Sequence, residues 1–225
     1  MAKSTFYSVL KRNNWRKVTP RKIHPKKADD ATIAASKKLR LKSGKRFSDQ
    51  NVHLLFGDEA GFGRISLIES CWAAAEHRPN VKAHHIRERR YLFGAVEPHN
   101  GDTSFLITPN CNKEWMGEFL KTLAEQYHDE PILLVLDNAV WHKAKSLKVP
   151  SNIELFFIPS YTPEMNPIES LWKMIRRLGF KNRAFNSLKK VEDHLETVVR
   201  GLDPNAVKSQ TEYKWVGSIL TANYY

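Results

Sequence analysis

Two hydrophobic patterns alternate along the chain from about residue 51 onward. Short apolar or alternating runs, typical of strands, occur at 52–57, 81–86, 91–96, 103–108, 132–136 and 153–158. The second, third and fourth of these runs suit an antiparallel meander that follows the first strand. Apolar positions at helical spacing occur at 112–127, 166–178 and 185–200. This order predicts an α/β domain in which helices flank a mixed sheet.

The first 46 residues follow a different pattern. Residues 4–14 have the pattern of a short helix with Phe6, Val9 and Leu10 on one face. Residues 16–46 are rich in Pro, Lys and Arg and are interpreted as a linker, with a second helix predicted across 29–40. We therefore expect a basic helical arm and linker at 1–46 and a main domain at 47–225.

Composition narrows the class of protein. With 225 residues, 41% of them hydrophobic, the chain can form one medium domain with a sizeable core and a short appendage. No apolar run approaches the roughly 20 residues of a membrane helix, and the N-terminus lacks the apolar block of a signal peptide. Cys71 and Cys111 are too few for a disulfide framework or a four-cysteine zinc site. We expect a cytoplasmic protein.

The positive charge is concentrated at the start of the chain. Residues 1–50 hold 15 Lys and Arg against 3 Asp and Glu, whereas residues 51–225 hold 21 of each. This density favours a polyanion partner, with a solvated surface or a membrane surface as alternatives. Pro20 and Pro25 interrupt the long amphipathic helix that the membrane alternative needs. The candidate residues for binding such a polyanion, DNA among them, are Lys11, Arg12, Arg16, Lys17, Arg21, Lys22, Lys26 and Lys27.

Three acidic residues fall at positions that suggest chemistry. Asp58 and Asp137 directly follow predicted strands, and Glu169 lies in the first turn of a predicted helix. If they converge, they form an all-oxygen site that suits Mg²⁺ or Mn²⁺ and phosphodiester chemistry. Each also has a structural alternative: a loop for Asp58, a turn or helix cap for Asp137, and for Glu169 a capping box with Asn166.

The residues around these acids form three longer blocks. They are FGDEAGF at 56–62, LVLDNAVWH at 134–142 and IPSYTPEMNPIESLW at 158–172. These blocks resemble the signature blocks of the DDE transposases, most of all bacterial insertion-sequence members of the Tc/mariner superfamily. The third block is the most specific, and the resemblance covers roughly residues 51–180.

This resemblance implies a fold, an activity and a set of partners. The fold is ribonuclease-H-like, and Asp58, Asp137 and Glu169 are the ligands of two Mg²⁺ or Mn²⁺ ions. The activity is cut-and-paste DNA transposition, in which strands are cleaved at transposon ends and joined to target DNA. The partners are double-stranded DNA and, in the DNA complex, a second copy of the chain, which places the protein at the bacterial nucleoid.

Full-length relatives carry a complete helix-turn-helix region, whereas only 57 residues precede Asp58 here, and residues 1–46 resemble a remnant of that region with its linker. A truncated copy and the downstream frame of a two-frame element are both compatible with this. The alternatives to an active transposase are an inactive remnant that only binds DNA and another ribonuclease-H-like nuclease.

Four neighbours of the acids are candidates for supporting roles. Asn138 and His142 are candidates to hydrogen-bond a ligand carboxylate or to contact DNA, with a turn asparagine and a packing histidine as the alternatives. Glu59 is a rival ligand, but alternation along a strand places its side chain on the face opposite Asp58. Trp172 lies at helical spacing and is interpreted as a core residue.

Overall fold

A computed structural model of the chain describes residues 3–15, 27–37, 52–65, 67–74, 79–82, 85–128, 130–139, 142 and 146–216. Five candidate DNA contacts lie outside these ranges: Arg16, Lys17, Arg21, Lys22 and Lys26.

In the described part of the chain, five strands form one mixed sheet. They are β1 (His53–Gly63), β2 (Arg89–Glu97), β3 (Asp102–Thr108), β4 (Ile132–Leu136) and β5 (Ile153–Phe157), in the order β3-β2-β1-β4-β5. The strands β1, β2 and β3 pair antiparallel as a meander, and β4 runs parallel to both β1 and β5. The α/β class and the mixed sheet are therefore confirmed.

The described residues include six α-helices. They are α1 (Lys3–Arg12), α2 (Asp30–Lys37), α3 (Lys113–Gln126), α4 (Ile168–Ile175), α5 (Leu188–Arg200) and α6 (Pro204–Thr211). A 3₁₀ turn at Pro163–Met165 precedes α4, and a π-helical turn at Arg176–Phe180 follows it. Among the described residues, no helix has both the length and the apolar composition needed to cross a lipid bilayer.

The central strands are buried on both faces. Leu54 and Phe56 of β1 belong to a core cluster that includes residues of α4, α5 and α6, whereas Leu55 between them belongs to a second cluster with α3. Successive side chains of a strand point to opposite faces of the sheet. A strand that is covered by helices on both faces therefore consists of consecutive apolar residues. This explains why the sequence of β4, ILLVL, shows no alternation.

Two predictions about elements were wrong. β1 does not end at Gly57, because antiparallel pairing with β2 extends it to Gly63, and Asp58 therefore lies inside the strand. No strand forms over the described part of 81–86, which is irregular. The helix predicted at 166–178 is confirmed, as α4 continued by the π-helical turn at Arg176–Phe180.

Part of the predicted linker packs on the main domain. Ile33 of α2 is only 7% exposed and belongs to the same core cluster as Trp172. Lys27 forms an ion pair with Glu164 in the 3₁₀ turn. By contrast, Phe6 and Val9 of α1 are exposed. The predicted boundary between the basic arm at 1–46 and the main domain at 47–225 stays a prediction, but α2 of the arm shares the core of the main domain.

Candidate active site

The pairing of β1 with β4 brings two of the acids level with each other. In the parallel register, Leu55 lies opposite Leu134 and Phe56 opposite Val135. The same register continued by two residues places Asp58 opposite Asp137. Asp58 lies just beyond the β1 residues that pair with β4, and Asp137 follows the end of β4. Both acids therefore lie where the parallel part of the sheet ends, the usual site position in open α/β sheets.

The start of α4 delivers Glu169 to the same place. Asn166 is buried, and its side-chain Nδ2 donates a hydrogen bond to the carbonyl oxygen of Gly57 on β1 at 2.9 Å. This bond ties the residues before α4 to the residue before Asp58. The backbone N–H of Asn166 donates to the carbonyl oxygen of Pro163 at 3.0 Å, so the amide that a capping box would use for Glu169 already has an acceptor.

The three acids share one cavity. Asp58, Asp137 and Glu169 line a cavity of about 420 Å³, together with residues of the block at 158–172. Asn138 also lines it, and the Asn138 side chain donates to the hydroxyl of Ser160 at 3.1 Å. The structure thus brings together the three acids that the sequence singles out, from a strand, a loop and a helix.

Asp58 is in an unfavourable setting for a lone carboxylate. Burial, followed by the negative charge of Glu59, raises its pKa to about 7, and Glu169 adds to the rise. Trp172 opposes this shift, because its indole Nε1–H donates to Oδ2 of Asp58 at 3.0 Å. The ring of Trp172 is buried as predicted, but its bond to Asp58 could not be read from sequence spacing.

Asp137 is held by a buried histidine. Nδ1 of His142 lies 3.0 Å from Oδ1 of Asp137, and Nε2 of the same ring lies 2.8 Å from Oε1 of Glu59. Burial lowers the pKa of His142, but the hydrogen bonds to Asp137 and Glu59 outweigh burial and raise that pKa to about 10. The bond from His142 lowers the pKa of Asp137. Glu59 does not line the cavity, in agreement with its predicted orientation.

The donor set fits a hard divalent cation. All three acids present oxygen, and carboxylates that repel each other gain from a cation between them. Among the described residues, no three Asp, Glu, His or Cys side chains lie close enough to hold one ion by themselves. Mg²⁺ is usually bound by one or two carboxylates, with water and substrate phosphate completing its octahedron. The cavity suits that mode of binding better than a closed protein cage.

Sequence comparisons place the cavity in a known context. The family model of the DDE superfamily endonuclease matches residues 53–192, which include all three acids. An uncharacterized protein of Sinorhizobium fredii is 39% identical over 105 residues, covering 46% of this chain and 78% of that protein. An uncharacterized 39 kDa protein of the insertion element IS630 from Shigella sonnei is 25% identical over 194 residues. This match covers 82% of the chain but only 55% of the insertion-element protein, so the chain spans about half of that relative's length.

Solved structures show the same fold. The Mos1 transposase paired-end complex with the left transposon end matches with a TM-score of 0.66 and 15% identity, covering 99% of this chain and 71% of that chain. The catalytic domain of Mos1 mariner transposase matches with a TM-score of 0.54 and 14% identity, over 90% of this chain and 98% of that domain. This likeness confirms the ribonuclease-H-like architecture predicted for the sheet and its helices.

Proposed function

Because the chain belongs to the DDE superfamily endonucleases, we propose that it is an insertion-sequence transposase that cleaves DNA strands at transposon ends and joins them to target DNA. The observation that carries this proposal is the shared cavity of Asp58, Asp137 and Glu169. These three residues would hold two Mg²⁺ or Mn²⁺ ions. Such ions activate a water or a 3′-hydroxyl and stabilise the leaving oxygen of a phosphodiester.

Neighbouring residues keep the three acids in place. Trp172 holds one oxygen of Asp58, His142 holds one oxygen of Asp137, and Asn166 links the start of α4 to β1. Asn138 is bonded to Ser160 at the cavity wall, where its amide would contact the DNA backbone. The site is therefore largely organised before substrate binds, which lowers the reorganisation that phosphoryl transfer requires.

The partner in this proposal is double-stranded DNA. Lys11 and Arg12 are exposed at the end of α1, and the basic arm that they begin would neutralise DNA phosphates without reading base sequence. Mos1 transposase is described in a paired-end complex with a transposon end. By analogy we propose that this chain acts as a homodimer on two transposon ends, at the DNA of the bacterial nucleoid.

The test is strand cleavage by single variants. We expect the full chain to nick DNA carrying the element's ends only with Mg²⁺ or Mn²⁺, and Asp58→Ala, Asp137→Ala and Glu169→Ala each to abolish nicking. Glu118→Ala, at an exposed position on α3, serves as the matched control and should cleave normally. Wild-type cleavage by any one of the three variants would remove that residue from the site.

Two further outcomes separate the alternatives. DNA retention without metal-dependent cleavage would identify an inactive DNA-binding remnant. Preferred cleavage of four-way junctions or RNA–DNA hybrids, in competition with linear ends, would indicate another ribonuclease-H-like nuclease.

A further inference from the structure

Glu59 is a buried acid beside the candidate site that the proposed cleavage does not use. It follows Asp58 on β1, does not line the cavity, and its side chain is only 7% exposed. Its Oε1 accepts a hydrogen bond from Nε2 of His142 at 2.8 Å, and the His142 side chain is 0% exposed. Burial of a carboxylate is costly unless the group is paired, so this contact has a structural or functional reason.

We propose that Glu59 is a positioning residue that sets the orientation of Asp137 through His142, an inference that rests on the proposed function. The imidazole is a rigid plane with its two nitrogens on different sides of the ring. An acceptor that fixes Nε2 therefore fixes the direction in which Nδ1 points. In this structure Nδ1 faces Asp137, 3.0 Å from its Oδ1 and 3.3 Å from its backbone carbonyl oxygen.

Asp137 needs such an anchor more than Asp58 does. Its side chain is 52% exposed, and it lies in the loop after β4 rather than inside a strand. Oδ1 of Asp137 accepts hydrogen bonds from the His142 ring and from the backbone N–H of Ala139, the latter at 3.1 Å. These two donors hold the carboxylate in one orientation at the cavity wall. A preset carboxylate loses less side-chain entropy when it binds a cation.

The contact between Glu59 and His142 also connects two of the three segments that carry the acids. Glu59 belongs to the same strand as Asp58, and His142 follows Asp137 by five positions in the sequence. The contact from Glu59 to His142 therefore ties a residue beyond the end of β4 to β1. Supporting residues of this kind change metal affinity by about 10- to 100-fold when they are removed.

Two conservative variants separate the effect of the length of the Glu59 side chain from the effect of its charge. Glu59→Asp keeps the charge but withdraws the acceptor by one methylene group, whereas Glu59→Gln keeps the reach and an amide oxygen that accepts the Nε2–H bond. The matched control is Glu97→Asp, because Glu97 forms a similar pair with His53, at 3.1 Å, but does not line the cavity. Binding of Mn²⁺ to the full chain is measured by electron paramagnetic resonance, without DNA and without turnover.

We expect Glu59→Asp to weaken Mn²⁺ binding by about tenfold or more, and Glu59→Gln and Glu97→Asp to bind Mn²⁺ as the wild type does. A second readout is the His142 ring in ¹H–¹⁵N spectra, assigned by its loss in His142→Gln. The Nε2 proton should be observed in the wild type and in Glu59→Gln, and should exchange too fast to be seen in Glu59→Asp.

Three results would overturn the inference. They are wild-type Mn²⁺ affinity in Glu59→Asp, equal weakening in Glu59→Gln and Glu59→Asp, and equal weakening in Glu97→Asp. If the wild-type chain bound no Mn²⁺ at all, the proposed function would fail together with the inference. A wild type that binds Mn²⁺ beside an unaffected Glu59→Asp would remove the role of Glu59 alone.

Discussion

The buried carboxylate of Asp58 reduces the stability of the metal-free protein at neutral pH. Its pKa is raised to about 7 from an ordinary 3.8, because burial and then Glu59 disfavour the charged form. Between these two values the folded protein binds more protons at Asp58 than the unfolded chain does. The contribution of this group to the free energy of unfolding is therefore most favourable below pH 4 and is lost as the pH rises to 7.

We predict that Asp58→Asn stabilises the metal-free protein at pH 8 but not at pH 4, by roughly 2–4 kcal/mol for a shift of this size. The asparagine oxygen can still accept the hydrogen bond from Trp172. Urea unfolding at both pH values measures the difference. Mg²⁺ should raise the unfolding free energy of the wild type at pH 8 and leave that of Asp58→Asn unchanged. Parallel pH curves for the two proteins would contradict the prediction.

A second titrating contact lies at the other end of β1. Nδ1 of His53 lies 3.1 Å from Glu97, and Nε2 lies 2.7 Å from Glu130. Burial lowers the pKa of His53, but the hydrogen bonds to Glu130 and Glu97 outweigh burial and raise it above 6.5. The stability that these contacts supply is therefore complete below pH 6.5 and is lost as the pH rises through the raised pKa of the folded state.

We predict that His53→Gln destabilises the protein at pH 5.5 by about 0.5–1 kcal/mol and has a smaller effect at pH 9. The partial exposure of these side chains keeps the magnitude small. Thermal or urea unfolding of both proteins at the two pH values measures the change. Glu97→Gln should reproduce the effect more fully than Glu130→Gln, since Glu97 is the more buried partner. An effect larger at pH 9 than at pH 5.5 would refute the stated sign.

At the scale of elements, close packing between β2 and α4 places Trp172 where it can reach Asp58. Gly94 on β2 lies opposite Asp58 in the antiparallel register. A Cβ atom on Gly94 would lie 2.5 Å from Cη2 of Trp172 and 3.1 Å from the ring of Phe105. The absence of a side chain at this position therefore allows the indole ring to lie against the strand.

We predict that Gly94→Ala destabilises the protein by about 1–3 kcal/mol, because the overpacked indole must move. The movement should lengthen the bond from Trp172 to Asp58, which fluorescence of the tryptophans and metal-dependent nicking can report. Gly117→Ala on α3 is the matched control, since its Cβ would meet only Leu147, at 4.0 Å. That control should stabilise the helix by roughly 0.5–1 kcal/mol. Equal effects of the two substitutions would contradict the packing argument.

Elements defined by local pattern were predictable from the sequence. The run at 132–136 is β4, and the helical spacing at 112–127 is α3 with Asn112 as its N-cap. The extension of β1 was not predictable, because its second half, DEAGFG, is stabilised by pairing with β2 rather than by its own apolar content. The helix α6 was missed, although Asp203 and Pro204 form a cap and first turn that could have signalled it.

The three acids of the candidate site were predictable from the sequence, but the contacts that hold them in place were not. Asp58, Asp137 and Glu169 stand in recognisable blocks, and the structure brings them to one cavity. The contact between His142 and Glu59 joins residues 83 positions apart, and that between Trp172 and Asp58 joins residues 114 positions apart. Neither contact leaves a periodic pattern in the sequence, since each depends on how distant segments meet across the sheet.

At the scale of the whole molecule, the excess positive charge of the N-terminal arm and its contacts with the main domain lie in different parts of the arm. All eight Lys and Arg residues of 1–26 are uncompensated, because this stretch contains no Asp or Glu. Two residues of the described segment 27–37 contact the main domain, Lys27 through its ion pair with Glu164 and Ile33 through its buried side chain. DNA binding and domain stability should therefore depend on different parts of the same arm.

We predict that deletion of residues 1–26 weakens binding to DNA of any sequence and makes its dependence on salt shallower. The slope of log K against log salt concentration should fall by about 0.9 for every phosphate that the deleted side chains neutralise. Titration of labelled duplex DNA at several salt concentrations measures the slope. The free energy of unfolding should stay unchanged. An unaltered slope would show that the charges of this stretch do not bind DNA.

Deletion of residues 1–37 provides the control. It removes Ile33 as well, and exposing the surface that Ile33 covers should lower the free energy of unfolding by about 1.5–3 kcal/mol. Ile33→Ala in the full chain should also lower the free energy of unfolding. It should leave the slope of log K against log salt concentration at its wild-type value. If the two deletion variants had the same free energy of unfolding, α2 would not be part of the core. The predicted domain boundary between residues 46 and 47 would then describe the domain better than the packing of Ile33 does.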